Sequence, residues 1–181
     1  MSEEKVFRDA SSGETMRFTK TSAETGGELL EMRTDYRPNS PKPPAHYHPK
    51  QREHFDIVAG SMTVQMNGEE RVYRAGESFD VPEGVVHAMW NAGGVITQVI
   101  WQVRPALNMQ AFFETIWGLR QEGKAKNGTP DLLQTAVLMR AYEDEFRLVN
   151  PPRIIQAILF TVLAFIGRLL GREARYEKYG R

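Results

Sequence analysis

His46-Tyr47-His48-Pro49-Lys50-Gln51-Arg52-Glu53 is the stretch on which the reading of the chain turns. Side chains alternate across a strand with a period of two, so His46 and His48 on one strand present two imidazoles to the same face. Glu53 follows after a gap wide enough for a short turn to bring a carboxylate back beside them, and His87 stands downstream as a further ligand. Imidazole nitrogens with one carboxylate oxygen suit Fe(II), Mn(II), Ni(II), Cu(II) or Zn(II). The expectation is a site for one divalent transition metal, with its identity open.

Around this stretch the chain breaks into short alternating segments punctuated by turn residues. Upstream, Pro38, Pro41, Pro43 and Pro44 rule out helix and central strand, because proline lacks the amide donor and restricts the residue before it. Downstream, 55–59 reads as strand ended by Gly60, and Met62, Val64 and Met66 alternate up to Asn67-Gly68, the strongest short hairpin signal. Gly76 and Pro82-Glu83-Gly84 mark further turns, and 95–103 reads as one long strand. Many short strands with such turns imply an all-β sandwich or barrel. After it the period becomes helical. Asn108 can cap a helix to about Gln121, Thr129-Pro130 can start a second that runs to about Leu148, and Pro151-Pro152 separates a third from Ile154 to about Leu170. The organisation expected is a loosely held polar lead-in at 1–13, a β-barrel at 14–104 and a three-helix extension at 105–181.

Composition narrows the function classes. The 181 residues carry 23 Lys plus Arg against 23 Asp plus Glu, so no net field draws the chain to nucleic acid, and no nucleic-acid partner is expected. There is no cysteine, which excludes disulfides, thiolate nucleophiles and zinc-thiolate sites and suits the cytoplasm. Nothing in the first 17 residues resembles a secretory h-region.

The ligands, glycines and prolines fall into two blocks: His46-x-His48, four residues, Glu53, six residues, Gly60; then Gly76, five residues, Pro82-x-Gly84, two residues, His87, three residues, Asn91. Over 40–91 this spacing resembles the two motifs of the cupin family in its compact microbial form, and the wider outline is similar to small single-domain cupin 2 proteins. The departure is Ser40, which stands where the family's first motif opens on glycine. The resemblance implies a cupin-type double-stranded β-helix, a jelly-roll barrel, and places His46, His48, Glu53 and His87 on the metal-holding positions. Gly60, Gly76 and Gly84 are expected at positive φ, and Asn91 as a clamp on turn backbone. His54 has the opposite parity to Glu53 and is expected to face away.

Parity with the ligands nominates Phe55, Ile57 and Met89 as inward neighbours of the metal, with Trp101 from the last strand; core packing is the plainer role for all four. No separate general base stands out, so no catalytic residue is assigned beyond the ligands. A metal-dependent enzyme acting on a small organic molecule is expected, dioxygenase-like or a Lewis-acid isomerase or lyase; the alternative is a small-molecule-binding or sensory module. The segment 154–170 is apolar on nearly every side and too short to span a bilayer. Burial against the other helices or in a homodimer is expected for it, with docking on a membrane surface as the alternative.

Overall fold

The computed structural model describes residues 5–126 and 128–180. Ten strands come first: β1 (Val6–Arg8), β2 (Thr15–Lys20), β3 (Leu30–Tyr36), β4 (His46–Tyr47), β5 (Arg52–Ala59), β6 (Ser61–Met66), β7 (Glu69–Arg74), β8 (Ser78–Val81), β9 (His87–Trp90) and β10 (Thr97–Arg104). Helix α1 (Met109–Gln121), the small hairpin β11 (Ala125–Lys126) and β12 (Thr129–Pro130), α2 (Leu132–Ala141), β13 (Arg147–Leu148) and α3 (Arg153–Leu169) follow. Two antiparallel sheets face each other, one ordered β1-β2-β3-β10-β5-β8 and the other β13-β4-β9-β6-β7. This is the all-β sandwich that the turn spacing predicts, in the two-sheet form that the resemblance to cupins implies.

Alternation holds where it matters. Along β5, Glu53, Phe55 and Ile57 are buried while Arg52 and Val58 are exposed, so one strand delivers a carboxylate and two core side chains to the interior. Between β6 and β7, Asn67 and Gly68 take φ of 49° and 92°, the left-handed pair that a two-residue hairpin needs. Gly60 also has positive φ, 75°, and a Cβ there would lie 2.6 Å from the Ile96 carbonyl oxygen. Gly60→Ala is therefore expected to cost about 2–4 kcal/mol, combining left-handed strain with overpacking against backbone. A urea melt that leaves the midpoint unchanged would refute it.

Two apolar clusters fill the molecule. One lies between the sheets, around Phe55, Ile57, Met62, Val64, Phe79 and Val99. The other joins Leu30, Met32 and Val103 to Phe112, Phe113 and Trp117 of α1 and to Ala136, Val137 and Leu138 of α2. Trp101 packs against both clusters. The helices are thus seated on the end of the barrel through a continuous core.

Four local expectations are corrected. Residues 5–13 are not a loose lead-in: β1 pairs with β2, Phe7 is 1% exposed, and Asp9 is held by Arg120 of α1. Residues 1–4 lie outside the described residues. Thr129-Pro130 forms β12, and Asp131 caps α2 by accepting from the Gln134 amide at 2.9 Å. Helix α2 stops at Ala141, not near Leu148, because 142–146 turns back so that β13 can pair with β4. Finally, the other helices bury α3 only in part: Phe160, Ala164 and Gly167 are buried against α2, where a Cβ on Gly167 would lie 3.0 Å from Val137 and 3.1 Å from the Leu133 carbonyl, a finding that bears on burial within the chain and not on the homodimer.

Candidate metal centre

The site is built across the two sheets. His46 on β4 stands directly opposite His87 on β9, and His48 follows at the end of β4. Their ring centroids lie 4.3 Å apart for His46 and His87, and 5.3 Å apart for His48 with each of the others. Each offers one nitrogen to a common point, and the three atoms lie within 4.8 Å of one another. Glu53 approaches two of the three imidazoles from β5 in the facing sheet, with Oε1 3.3 Å from His48 Nε2 and Oε2 3.0 Å from His87 Nε2.

Hydrogen bonding fixes which nitrogen is free. The Nδ1 atoms of His46, His48 and His87 approach the backbone carbonyls of Pro44 (3.1 Å), Glu145 (2.6 Å) and Val85 (3.0 Å). A carbonyl only accepts, so each Nδ1 carries the hydrogen and each Nε2 of a neutral ring holds a lone pair. His48 Nε2, His87 Nε2 and Glu53 Oε2 are buried atoms without a hydrogen bond. Lone pairs turned on a carboxylate need a positive charge between them. Two ligands at right angles on an ion with bonds of about 2.1 Å sit about 3 Å apart, which is the spacing of Glu53 from the two imidazoles. The residues fit a divalent metal.

Electrostatics separate the imidazoles by their distance from the carboxylate. Burial, with repulsion from His87 and His48, pushes His46 down to about 3, so it stays neutral and able to ligate. Burial alone would lower His48, but the Glu53 carboxylate outweighs it and pushes His48 up. Burial raises Glu53, but attraction to His48 and close polar contact with both buried imidazoles hold its carboxyl far below the usual range. Glu53 Oε1 also accepts from Trp101 Nε1 at 3.0 Å, which orients the carboxylate. His54 faces outward as its parity predicts, 2.8 Å from Asp80 and 3.1 Å from Asp56.

The four nominated pocket residues separate. Phe55 and Ile57 are enclosed core residues, 0% and 2% exposed, and Phe55 stacks on Phe79. Trp101 stacks on Phe55 and bonds to Glu53. Met89, on the same face of β9 as His87, lines a cavity of about 390 Å³ with Tyr36, Pro44, Lys42, Glu14 and Arg120. Burial, with the Glu14 carboxylate next, pushes the Tyr36 phenol up, so it remains a hydrogen-bond donor there.

Three features of the site escape a reading of the motifs. Phe146 stacks on His46, with ring centroids 4.6 Å apart, and the Glu145 carbonyl fixes His48, so the segment between α2 and α3 closes one side. Tyr142 and Phe146 are four apart and mimic helical spacing, which hides the turn that brings Phe146 onto His46. Ser40 does more than replace a glycine: its hydroxyl accepts from the Asn91 amide at 2.9 Å and its amide donates to the Asn91 carbonyl at 2.9 Å, tying the two motifs together. Asn91 in turn clamps the Val95 carbonyl and the Gly93 amide.

Comparison with known proteins bears on this geometry. Residues 32–103 match the family Cupin_2, described as a cupin domain. A protein of the fungus Arthrobotrys oligospora named as an oxidoreductase is 27% identical over 153 residues, covering 76% of this chain and 59% of that protein. "Probable oxidoreductase virH" of Hypocrea virens is 28% identical over 153 residues, covering 77% of this chain and 68% of that protein. The crystal structure of an RmlC-like cupin from Shewanella frigidimarina superposes with a TM-score of 0.50 at 20% identity, covering 60% of this chain and 89% of that one, a likeness of fold. The chain thus spans about three fifths of the Arthrobotrys relative and about two thirds of the Hypocrea one.

Proposed function

Since residues 32–103 are a cupin domain, we propose that the chain is a metal-dependent oxidoreductase that converts a small organic molecule with dioxygen as the electron acceptor. The observation that carries the metal is the buried meeting of two Nε2 lone pairs with the Glu53 carboxylate, beside a third free imidazole. The two fungal relatives bear oxidoreductase names, which favours redox chemistry over isomerisation or lysis at the same ligands. When bound, a redox-active divalent ion with open coordination positions supplies a place for dioxygen and a polarising charge for the substrate.

The residues divide the remaining work. His46, His48 and His87 hold the ion through Nε2, and their Nδ1–H bonds to backbone carbonyls keep the rings from turning. Glu53 brings the negative charge, held in place by Trp101. Phe146 covers His46 and keeps bulk water from that side. The cavity beside Met89 takes the substrate, with the Tyr36 hydroxyl to donate to its oxygen and the Met89 thioether as apolar wall.

The test is to incubate metal-loaded protein with a library of small organic acids, alcohols and phenols and read products by mass spectrometry. Conversion in air that stops under dinitrogen and is absent from His48→Ala is the expected result. Conversion that continues unchanged under dinitrogen would replace the redox reading with isomerase or lyase chemistry. A compound retained without conversion would make the chain a binding module.

A further inference from the structure

Glu145 differs from the acidic residues beside it. In the turn between α2 and β13, Glu143 and Asp144 are exposed and paired with Arg140 and Lys50, whereas Glu145 is 3% exposed. Its carboxylate is met by neutral donors: Oε1 accepts from the Asn108 amide at 3.2 Å and from Asn108 Nδ2 at 2.8 Å. A buried carboxylate met by neutral donors stabilises a fold little, because the cost of desolvation offsets the bonds. What those bonds hold in place therefore matters more than their own strength.

They hold a ligand. The Glu145 carbonyl lies 2.6 Å from His48 Nδ1, so this one residue is gripped through its side chain by the start of α1 and grips a ring of the metal centre through its backbone. Asn108 precedes α1, but its side chain makes no cap bond to that helix and donates to Glu145 instead. Phe146, next in the chain, is stacked between His46 and Phe112 of α1, with ring centroids 4.6 and 5.3 Å away. A second route joins the same places: Gln51, between His48 and Glu53, donates from Nε2 to the carbonyls of Pro105 and Ala106 at 2.8 and 3.1 Å. An imidazole turns about its Cβ–Cγ bond unless Nδ1 is held, and holding Nδ1–H both fixes the tautomer and aims the Nε2 lone pair.

We propose that Glu145 is a positioning residue of the metal centre: Asn108 locks its carboxylate, the turn is thereby fixed, and the Glu145 carbonyl keeps His48 in the Nδ1–H tautomer with Nε2 aimed at the ion. The inference rests on the metal-binding reading above. Asn108, Glu145 and Phe146 all lie outside the matched cupin residues 32–103, so the helical extension supplies a part of the site that the barrel alone does not.

The experiment uses the full chain and two readouts. Competition with a chelator gives the affinity for Co(II), and long-range proton–nitrogen NMR of metal-free protein in alkaline buffer gives the tautomer of neutral His48. Glu145→Ala is expected to bind Co(II) about 10- to 100-fold more weakly and to show mixed His48 tautomers where the wild type holds the Nδ1–H form. Glu145→Gln keeps an oxygen that can accept both Asn108 bonds and should restore both readouts. Asn108→Ala, which leaves the backbone bond in place, should move both in the same direction by less. Thr115→Val, which removes a bond from α1 to the Ala174 carbonyl, is the control: it should lower the melting temperature and leave both readouts unchanged. A Glu145→Ala variant that matches the wild type in both, or a Thr115→Val variant that weakens Co(II) binding as much, would overturn the proposal and leave Glu145 a purely structural residue. A wild type that takes up no Co(II) would instead refute the metal reading, and the tautomer readout would still decide whether Glu145 holds the His48 ring.

Discussion

Glu53→Gln is expected to weaken binding of a divalent metal by at least about 100-fold, the upper end of what altering a group outside the ligand shell does, and yet to stabilise the metal-free protein in alkaline buffer. Glu53 is fully buried, with its oxygens 3.3 and 3.0 Å from two imidazole nitrogens that have lone pairs to offer. A glutamine loses the negative charge the ion needs. In the metal-free protein, where alkaline pH leaves the imidazoles neutral, its amide hydrogens can instead satisfy one of those lone pairs and relieve about 1–3 kcal/mol of unmet hydrogen bonding. For a chain of this length that is a rise of a few degrees in melting temperature, about 2–4 °C per kcal/mol. Titration calorimetry and thermal melts in chelator read the two effects separately. A carboxylate that serves only packing would lower the melting temperature when replaced and leave metal affinity alone.

Arg120→Ala should give the largest loss of stability, about 3–5 kcal/mol, as expected for removing one partner from a buried ion pair. Arg120 Nε lies 2.5 Å from Asp9 Oδ2, its other arm meets Glu14, and its guanidinium stacks 3.9 Å above the Trp117 ring. This one side chain ties the N-terminal strands to α1 and borders the cavity lined by Tyr36 and Met89. Burial pushes Asp9 up, but bonds from Ser11 and from Arg120 hold it at about 2 against an ordinary 3.8. Because the folded value is depressed, the stabilisation is complete above the ordinary value and is lost as pH falls through the folded one. The gap in melting temperature between wild type and Arg120→Ala should therefore be full at neutral pH and shrink between about pH 4 and pH 2. A gap that stays constant over that window would show that packing on Trp117, and not the ion pair, carries the effect.

Much of the site could be read from the sequence because its parts obey local rules. Strand parity places His46 with His48 and Glu53 with Phe55 and Ile57, and turn chemistry at Gly60, Asn67-Gly68, Gly76 and Gly84 sets where the strands end; all five of those positions have positive φ. Parity could not say which inward residues meet space and which meet other side chains. Phe55 and Ile57 point inward into closed core, and among the four nominated positions Met89 lines the cavity. Phe146 and the Glu145 carbonyl were out of reach for another reason. Their contact with the histidines spans about a hundred residues, and no local pattern marks where α2 yields to β13. The exposed face of α3 departs from its hydropathy because the helix is seated through small residues, Ala164 and Gly167, which leaves its large ones outside.

The most direct measurement is elemental analysis of tag-free protein purified without added metal, and after reconstitution, beside a His46→Ala, His87→Ala double variant that passes the same fold checks. The account predicts close to one transition-metal ion per chain in the wild type and none in the variant, with dioxygen-dependent conversion tracking the bound metal. A wild type that neither carries nor takes up metal, or a double variant that keeps it, would contradict the centre built from His46, His48, His87 and Glu53.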